Sequence, residues 1–181
     1  ADLQDELQRS LRGEVRFDNT TRMLYSTDAS LYQINPIGVV LPKNLEDVQS
    51  VVSIAARRGV PILPRGGGSS LAGQAIGAAL VLDFSKYMDK IIAIDSDART
   101  VTTEPGVVLG VLNRQLAPLG WMVGPDPASA ERATIGGCVG NNATGAHSIL
   151  YGMMADHVLS TSVVLGDGSH SRFEGLTAEG I

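Results

Sequence analysis

The sequence predicts an α+β fold, and three observations predict it. A strand–helix–strand pattern fills about 25 residues after Pro36, the signature of a βαβ unit. Further short strand patterns follow, broken by one helix and ended by a hairpin, which reads as a mixed or antiparallel sheet with helices. Glycine makes up 21 of 181 residues. Without a collagen period, such a surplus suggests loops built from backbone, where close approach matters more than side chains.

The elements justify this in order. Leu3, Leu7 and Leu11 recur at helical spacing, and Gly13 is placed to end that helix. Residues 18–35 are polar and turn-rich. Pro36 and Pro42 bracket a short apolar run over 37–41, a buried-strand pattern. Asn44 caps the next helix, with Asp47 three residues on; its apolar face is Leu45, Val48, Val51, Val52 and Ala55, and Gly59 closes it. Strand patterns follow at 60–63, 79–83, 90–94 and 100–103, and Pro105-Gly106 breaks the last. Residues 108–117 read as a helix with Val108, Leu112 and Leu116 on one face, ended by Gly120. Gly124, Pro125, Asp126 and Pro127 form a rigid turn. Residues 158–165 and 169–173 flank Gly166-Asp167-Gly168 as a hairpin. The expected organisation is a helix and polar segment over 1–35, then one domain over 36–181, with a first subdomain at 36–95 and the start of a second at 96–181. The chain stops just after the hairpin pattern, so a fragment truncated at its C-terminus is expected.

Bulk properties exclude several classes. Hydrophobic residues are 44% and charged ones 18%, a globular rather than disordered balance. The net charge is −5 and no Lys/Arg run exceeds Arg57-Arg58, so nucleic acid is not an expected partner. No apolar stretch reaches the ~18 residues of a membrane-spanning helix. The first dozen residues are charged and helical in pattern, unlike a signal peptide. The single cysteine, Cys138, excludes a disulfide framework and suits a reducing, cytoplasmic compartment.

Two segments carry the chemistry. The first is Arg65 followed by Gly66, Gly67, Gly68, Ser69, Ser70, Leu71, Ala72, Gly73 and Gln74, directly after a strand. Glycines let consecutive N–H groups converge on an anion, and the Ser69, Ser70 and Gln74 side chains add donors. A diphosphate site needs this when no metal or lysine supplies charge. A Walker loop is excluded because Gln74 and Ala75 stand where Lys and Ser/Thr belong, and the dinucleotide fingerprint is excluded because Leu71 fills its third glycine position. A plain glycine-rich turn is the competing reading. The second segment runs from Pro125 through Ser129, Thr134, Gly136, Gly137, Gly140, Asn142 and Gly145 to Ser148, Tyr151 and Gly152. A core helix would not spend so many glycines, each costing ~1 kcal/mol against alanine. Close packing on a large flat ligand is the favoured reading, and a tight crossing of two elements is the other.

Together, in this order and about 60 residues apart, the two segments resemble the FAD-binding domain of the vanillyl-alcohol oxidase and p-cresol methylhydroxylase family. The likeness runs from about Ile37 to Arg172. It is nearest the 2-hydroxy-acid branch of D-lactate dehydrogenases, glycolate oxidase flavin subunits and D-2-hydroxyglutarate dehydrogenases. Residues 25–30 and 64–68 resemble long bacterial members that carry an appended iron–sulfur region. The resemblance implies a two-subdomain FAD-binding fold of the p-cresol methylhydroxylase type, with extended FAD between the subdomains. It assigns Gly66, Gly67, Gly68, Ser69, Ser70, Leu71, Gly73 and Gln74 to the pyrophosphate loop. It assigns Pro125, Ser129, Thr134, Gly136, Gly137, Asn142, Ser148, Tyr151 and Gly152 to the lining of the pyrophosphate and flavin ring. Asp126 matches the family's Pro-Asp turn, where its acid is expected to cap backbone amides. Some relatives bind flavin covalently through a histidine in or near these loops. None lies within residues 66–74, so non-covalent FAD is expected. His147 is read as a packing or polar surface residue, Cys138 as a small buried one, and His157 and His170 as surface or strand-end residues.

The implied activity is oxidation of a 2-hydroxy acid such as D-lactate, glycolate or D-2-hydroxyglutarate by hydride transfer to flavin N5. The substrate domain with the catalytic histidine, any metal site, and an iron–sulfur cluster would belong to parts of the protein outside this chain. No catalytic or metal-binding residue is nominated here, and the fragment alone is expected to be inactive. The electron acceptor is unspecified; membrane association would arise through it. Two other readings are a reductase like that acting on UDP-N-acetylenolpyruvoylglucosamine, and a non-enzymatic nucleotide-binding module.

Overall fold

The computed structural model describes residues 2–175. Helix α1 (Leu3–Ser10) is capped by Asp2 and buries Leu7. Strand β1 (Glu14–Arg16) and the short helix α2 (Asn19–Leu24) follow, the latter capped by the Asp18 side chain on the Thr21 amide. Strand β2 (Gly38–Leu41) leads into α3 (Leu45–Arg58), which Asn44 caps by accepting from Asp47 N, and Gly59 closes it at φ 63°. That positive φ is where glycine is favoured. The buried face of α3 is Val48, Val51, Ile54 and Ala55, with Asp47. Ile54 replaces Leu45 and Val52 of the expected stripe; those two are only half-buried. Asp47 is buried, and its carboxylate accepts from the amides of Arg12 and Lys43, which fixes the approach of α1 and β2 to the helix.

Strands β3 (Ile62–Arg65) and β4 (Leu80–Asp83) complete the first sheet, whose order is β1-β2-β4-β3. β2, α3 and β3 form the expected βαβ unit, and β4 inserts between its two parallel strands and pairs with both. Central position accounts for the pattern. Both β2 and β4 are fully buried, and an unbroken apolar run suits a parallel strand covered on two faces. On one face Leu7, Val40, Val48, Val51, Ile54, Leu80 and Leu82 pack together, and on the other Val39, Leu41 and Val81 meet Tyr25, Leu63 and Tyr87. β1 pairs antiparallel with β2 at the sheet edge.

Beyond it, β5 (Ile91–Asp95) and β6 (Thr100–Thr103) form an antiparallel pair with a bulge between Ile91 and Ala93. Helix α4 (Leu109–Leu116) continues into a 3-10 turn (Ala117–Leu119) before Gly120. Its Leu112 and Leu116 pack with Val107 against Ile91, Val101, Val123 and Ile135. Then come α5 (Ile135–Gly140), α6 (Ser148–Tyr151), a 3-10 turn (Met154–His157), and the antiparallel hairpin of β7 (Ser160–Val164) and β8 (His170–Glu174). The α5 helix corrects the expectation that the glycines there preclude a helix. Thr134 caps it, and Cys138 is buried with Leu109, Ala133 and Met154. Tertiary burial thus overrides the poor propensity of Ile-Gly-Gly-Cys-Val-Gly.

Candidate functional site

The glycine loop leaves the carboxyl end of β3, where loops of parallel strands present ligands. Among the described residues, no protein acceptor meets the backbone N–H groups of residues 66–71. Gly68 turns the chain at φ 63° and Gly73 at φ 81°. Leu71 is exposed at the tip. The Ser70 hydroxyl donates to the Gln74 side chain and accepts from the amides of Ala72 and Gln74, so these two residues brace the loop from within.

The loop is also held from outside by residues 25–30. Ala29 N donates to Gly68 O at 3.0 Å. The Asp28 carboxylate accepts from Ser30 N at 2.9 Å and from Ala75 N at 3.3 Å. The Arg65 guanidinium reaches the carbonyls of Tyr25, Thr27 and Ala75. The Tyr25 phenol donates to buried Asp83 at 2.5 Å. Burial first, and then this hydrogen bond, push that phenol above its ordinary range. Arg65, Asp28 and Ala29 carry no role in the sequence reading. No local pattern links Asp28 to Ala75, 47 residues away; the only signal was the family likeness of residues 25–30.

The second segment folds back on itself. Pro125 and Pro127 are buried, and Asp126 sits at φ 46°. A Cβ on Gly145 would lie 2.1 Å from the carbonyl oxygens of Pro125 and Asp126, so only glycine allows residues 145 and 125–126 to meet. The Ser129 carbonyl accepts from the amides of Arg132 and Ala133. The N–H groups of Ile135, Gly136 and Gly137 donate to Val107 O, Pro105 O and the Thr134 hydroxyl. What Gly136 contributes is therefore closeness: its Cβ would stand 2.7 Å from Pro105. Asn142, at φ 46°, accepts from Ala155 N and donates to the Met153 sulfur. Ser148 accepts from Gly145 N, Tyr151 is exposed, and Gly152 turns the chain at φ 83°. Asp126 departs from the expected amide-capping role, because its carboxylate faces His147 Nδ1 at 3.2 Å. His147 also sets its ring edge-on to Tyr151. Burial pushes the Cys138 thiol up. His157 contacts the Tyr151 carbonyl and His170 the Ser162 hydroxyl, both on the surface. Among the described residues, no cluster of three or more His, Cys, Asp or Glu side chains is placed to hold a metal.

The two segments meet. A Cβ on Gly66 would lie 2.0 Å from Thr134 Oγ1, and one on Gly67 would lie 2.1 Å from the Arg132 carbonyl oxygen. The strand-end loop is thus pressed against residues 132–134, and both glycines are required by this contact. Unclaimed amides at 66–71, a left-handed turn at Gly68 and walls without side chains are what a diphosphate requires, and the residues present fit that group.

A family described as FAD binding domain matches residues 36–174. The chain is 36% identical over 169 residues to D-2-hydroxyglutarate dehydrogenase of Escherichia coli, covering 92% of this chain and 17% of that protein. It is 36% identical over 174 residues to glycolate oxidase subunit GlcD of Bacillus subtilis, covering 93% of this chain and 37% of that one. Alkyldihydroxyacetonephosphate synthase superposes with a TM-score of 0.79 at 27% identity, over 93% of this chain and 33% of its own. The chain therefore spans between about a sixth and two fifths of these proteins.

Proposed function

The chain belongs to the family described as FAD binding domain, and from that membership we propose that it binds FAD, in a fold of the vanillyl-alcohol oxidase and p-cresol methylhydroxylase type, for a dehydrogenase of 2-hydroxy acids. The observation that carries the site is the run of unclaimed amides at 66–71 pressed against residues 132–134. In this reading Gly66, Gly67, Gly68, Ser69, Ser70 and Leu71 receive the diphosphate, with Gly73 and Gln74 closing the loop. Pro125, Ser129, Thr134, Gly136, Gly137, Asn142, Ser148, Tyr151 and Gly152 shape the surface along the diphosphate and flavin. The proposed subdomains are 36–95 and 96–181, residues 176–181 of the second lying outside the described residues. FAD supplies the hydride acceptor. The chain's residues hold it through backbone donors, with no covalent link, and none of them is nominated as the base or as a carboxylate-binding arginine. Substrates of the D-2-hydroxyglutarate, glycolate or D-lactate class follow from the kinship with D-2-hydroxyglutarate dehydrogenase, GlcD and D-lactate dehydrogenase. An electron acceptor, and an iron–sulfur cluster as in long bacterial members, would lie outside this chain.

The test is a titration of the full-length protein with FAD, with ADP and FMN as competitors. Saturable binding displaced by ADP and poorly by FMN is the expected result. The Gly67→Leu variant, whose Cβ collides with the Arg132 carbonyl, should lose it. Absence of FAD binding, or unchanged affinity in Gly67→Leu, defeats the assignment.

A further inference from the structure

We propose that Arg65 is a positioning residue for the cofactor: its guanidinium clasps both ends of the glycine loop to residues 25–27 and so holds the amides of 66–71 in their receptive shape. This rests on the reading that those amides receive the diphosphate.

Arg65 is the last residue of β3, in register with Asp83 at the end of β4. The loop begins at the next residue and ends at Ala75, whose carbonyl accepts from Arg65 Nη1 at 2.8 Å. Nη2 reaches Thr27 O at 2.9 Å, and Nη1 also reaches Tyr25 O at 3.4 Å. One side chain therefore ties the start of the loop, its end and a third segment 40 residues earlier. The guanidinium lies over the Tyr25 ring, 5.2 Å from its centre, and the Tyr25 phenol is anchored on Asp83. The clasp thus connects to the rigid sheet rather than to surface chain. Gly68 lies against it: a Cβ there would stand 2.6 Å from Arg65 Nη2. The guanidinium packs against the loop at its left-handed turn.

The chemistry needs arginine. A planar fork with five donors spans three carbonyls in fixed directions, which one ammonium on a flexible stem does not. Among the described residues, Arg65 has no carboxylate within ion-pair distance. Asp28, in the 25–30 segment that the guanidinium reaches, accepts from the amides of Ser30 and Ala75. A loop of glycines samples many conformations unless held. Apparent affinity falls by the fraction of time the loop is competent.

The test compares Arg65→Lys and Arg65→Ala in the full-length protein. Dissociation constants are measured for FAD and ADP, and melting temperature without FAD. Both variants should bind FAD and ADP at least about tenfold more weakly, in parallel, with melting temperatures lowered by only a few degrees and the chain still folded at the assay temperature. Ethylguanidinium should restore affinity to Arg65→Ala. Affinity within about threefold of the parent in either variant overturns the proposal. So does a loss that ethylguanidinium leaves untouched, which would mark a merely structural role. Should neither variant fold, Tyr25→Leu removes the ring beneath the guanidinium and leaves the carbonyls; an unchanged FAD affinity there overturns the proposal equally. Loss of binding in Gly67→Leu with normal binding in the Arg65 variants would refute the clasp alone. Failure of the unaltered protein to bind FAD would refute the site itself.

Discussion

Replacing Gly66 with alanine tests the contact on which the site is built. The glycine does not sit at positive φ, so alanine is permitted there conformationally. By its effect on the unfolded chain alone, the change would stabilise by about 0.4–1 kcal/mol. Sterics reverse the sign. The new Cβ would lie 2.0 Å from Thr134 Oγ1, where ordinary contact begins at 3.4 Å. Neither side yields easily. Thr134 is 2% exposed, its hydroxyl accepts from Gly137 N to cap α5, and its backbone bridges Val108. Forced overpacking of this kind costs about 1–3 kcal/mol. Thr134→Ala alone removes the cap, at about 1 kcal/mol, but also removes the obstructing oxygen. The double variant should therefore be more stable than the sum of the singles predicts, by about 1–2 kcal/mol. The assay is urea unfolding followed through Trp121, the single tryptophan of the chain, with linear extrapolation. Additivity within about 0.5 kcal/mol would refute the reasoning, as would a stabilised Gly66→Ala variant.

Three further outcomes are expected. Glu14 accepts from Lys86, Tyr87 and Arg16, and these bonds draw its carboxyl from 4.5 down to about 2. Its stabilising contribution is in full force above pH 4.5 and is lost as the pH falls from there toward 2. For a surface group this amounts to about 1 kcal/mol; Glu14→Gln should flatten that part of the stability–pH curve, and an unchanged curve would contradict it. Asn142→Ala removes the acceptor for Ala155 N and the donor to Met153 and should cost about 1 kcal/mol, while loosening the 154–157 turn in hydrogen exchange. Cys138, buried and with its thiol pushed up, should resist alkylation at pH 8 in the folded chain and react on unfolding; prompt labelling of the native chain would place it at the surface instead.

What the sequence made legible was local. Asn44, Asp47 and Gly59 mark the ends of α3 because capping is a contest among neighbouring groups, and those groups are neighbours in the chain. The hairpin of β7 and β8 is legible for the same reason. The place of β4 between β2 and β3 is not, since nothing in the periodicity of a strand says which partner it takes. Nor was α5 legible. Its glycines argue against a helix, and what forms it is the cap at Thr134, the contact of Gly136 with Pro105 and the burial of Cys138. In the candidate site, the glycines were legible but their reasons only in part. Sequence suggests that Gly66 and Gly67 make room for a ligand; the fold shows that they make room for Thr134 and Arg132.

That double demand explains why the site is built as it is. In the proposed reading the amides of 66–71 are kept for an anion and are not spent on the loop's own folding, so other groups must hold its shape. Here the holding is done from outside. Ala29 takes the Gly68 carbonyl, Asp28 takes the Ala75 amide, and Arg65 takes the Ala75 carbonyl. Each uses a group at the turn or end of the loop and leaves residues 66–71 their donors. Residues 132–134 then press on the loop where glycine has no side chain to resist. The cost of ordering a glycine-rich segment falls on residues remote in sequence. Substitutions in residues 25–30 should therefore weaken cofactor binding as surely as those in the loop itself.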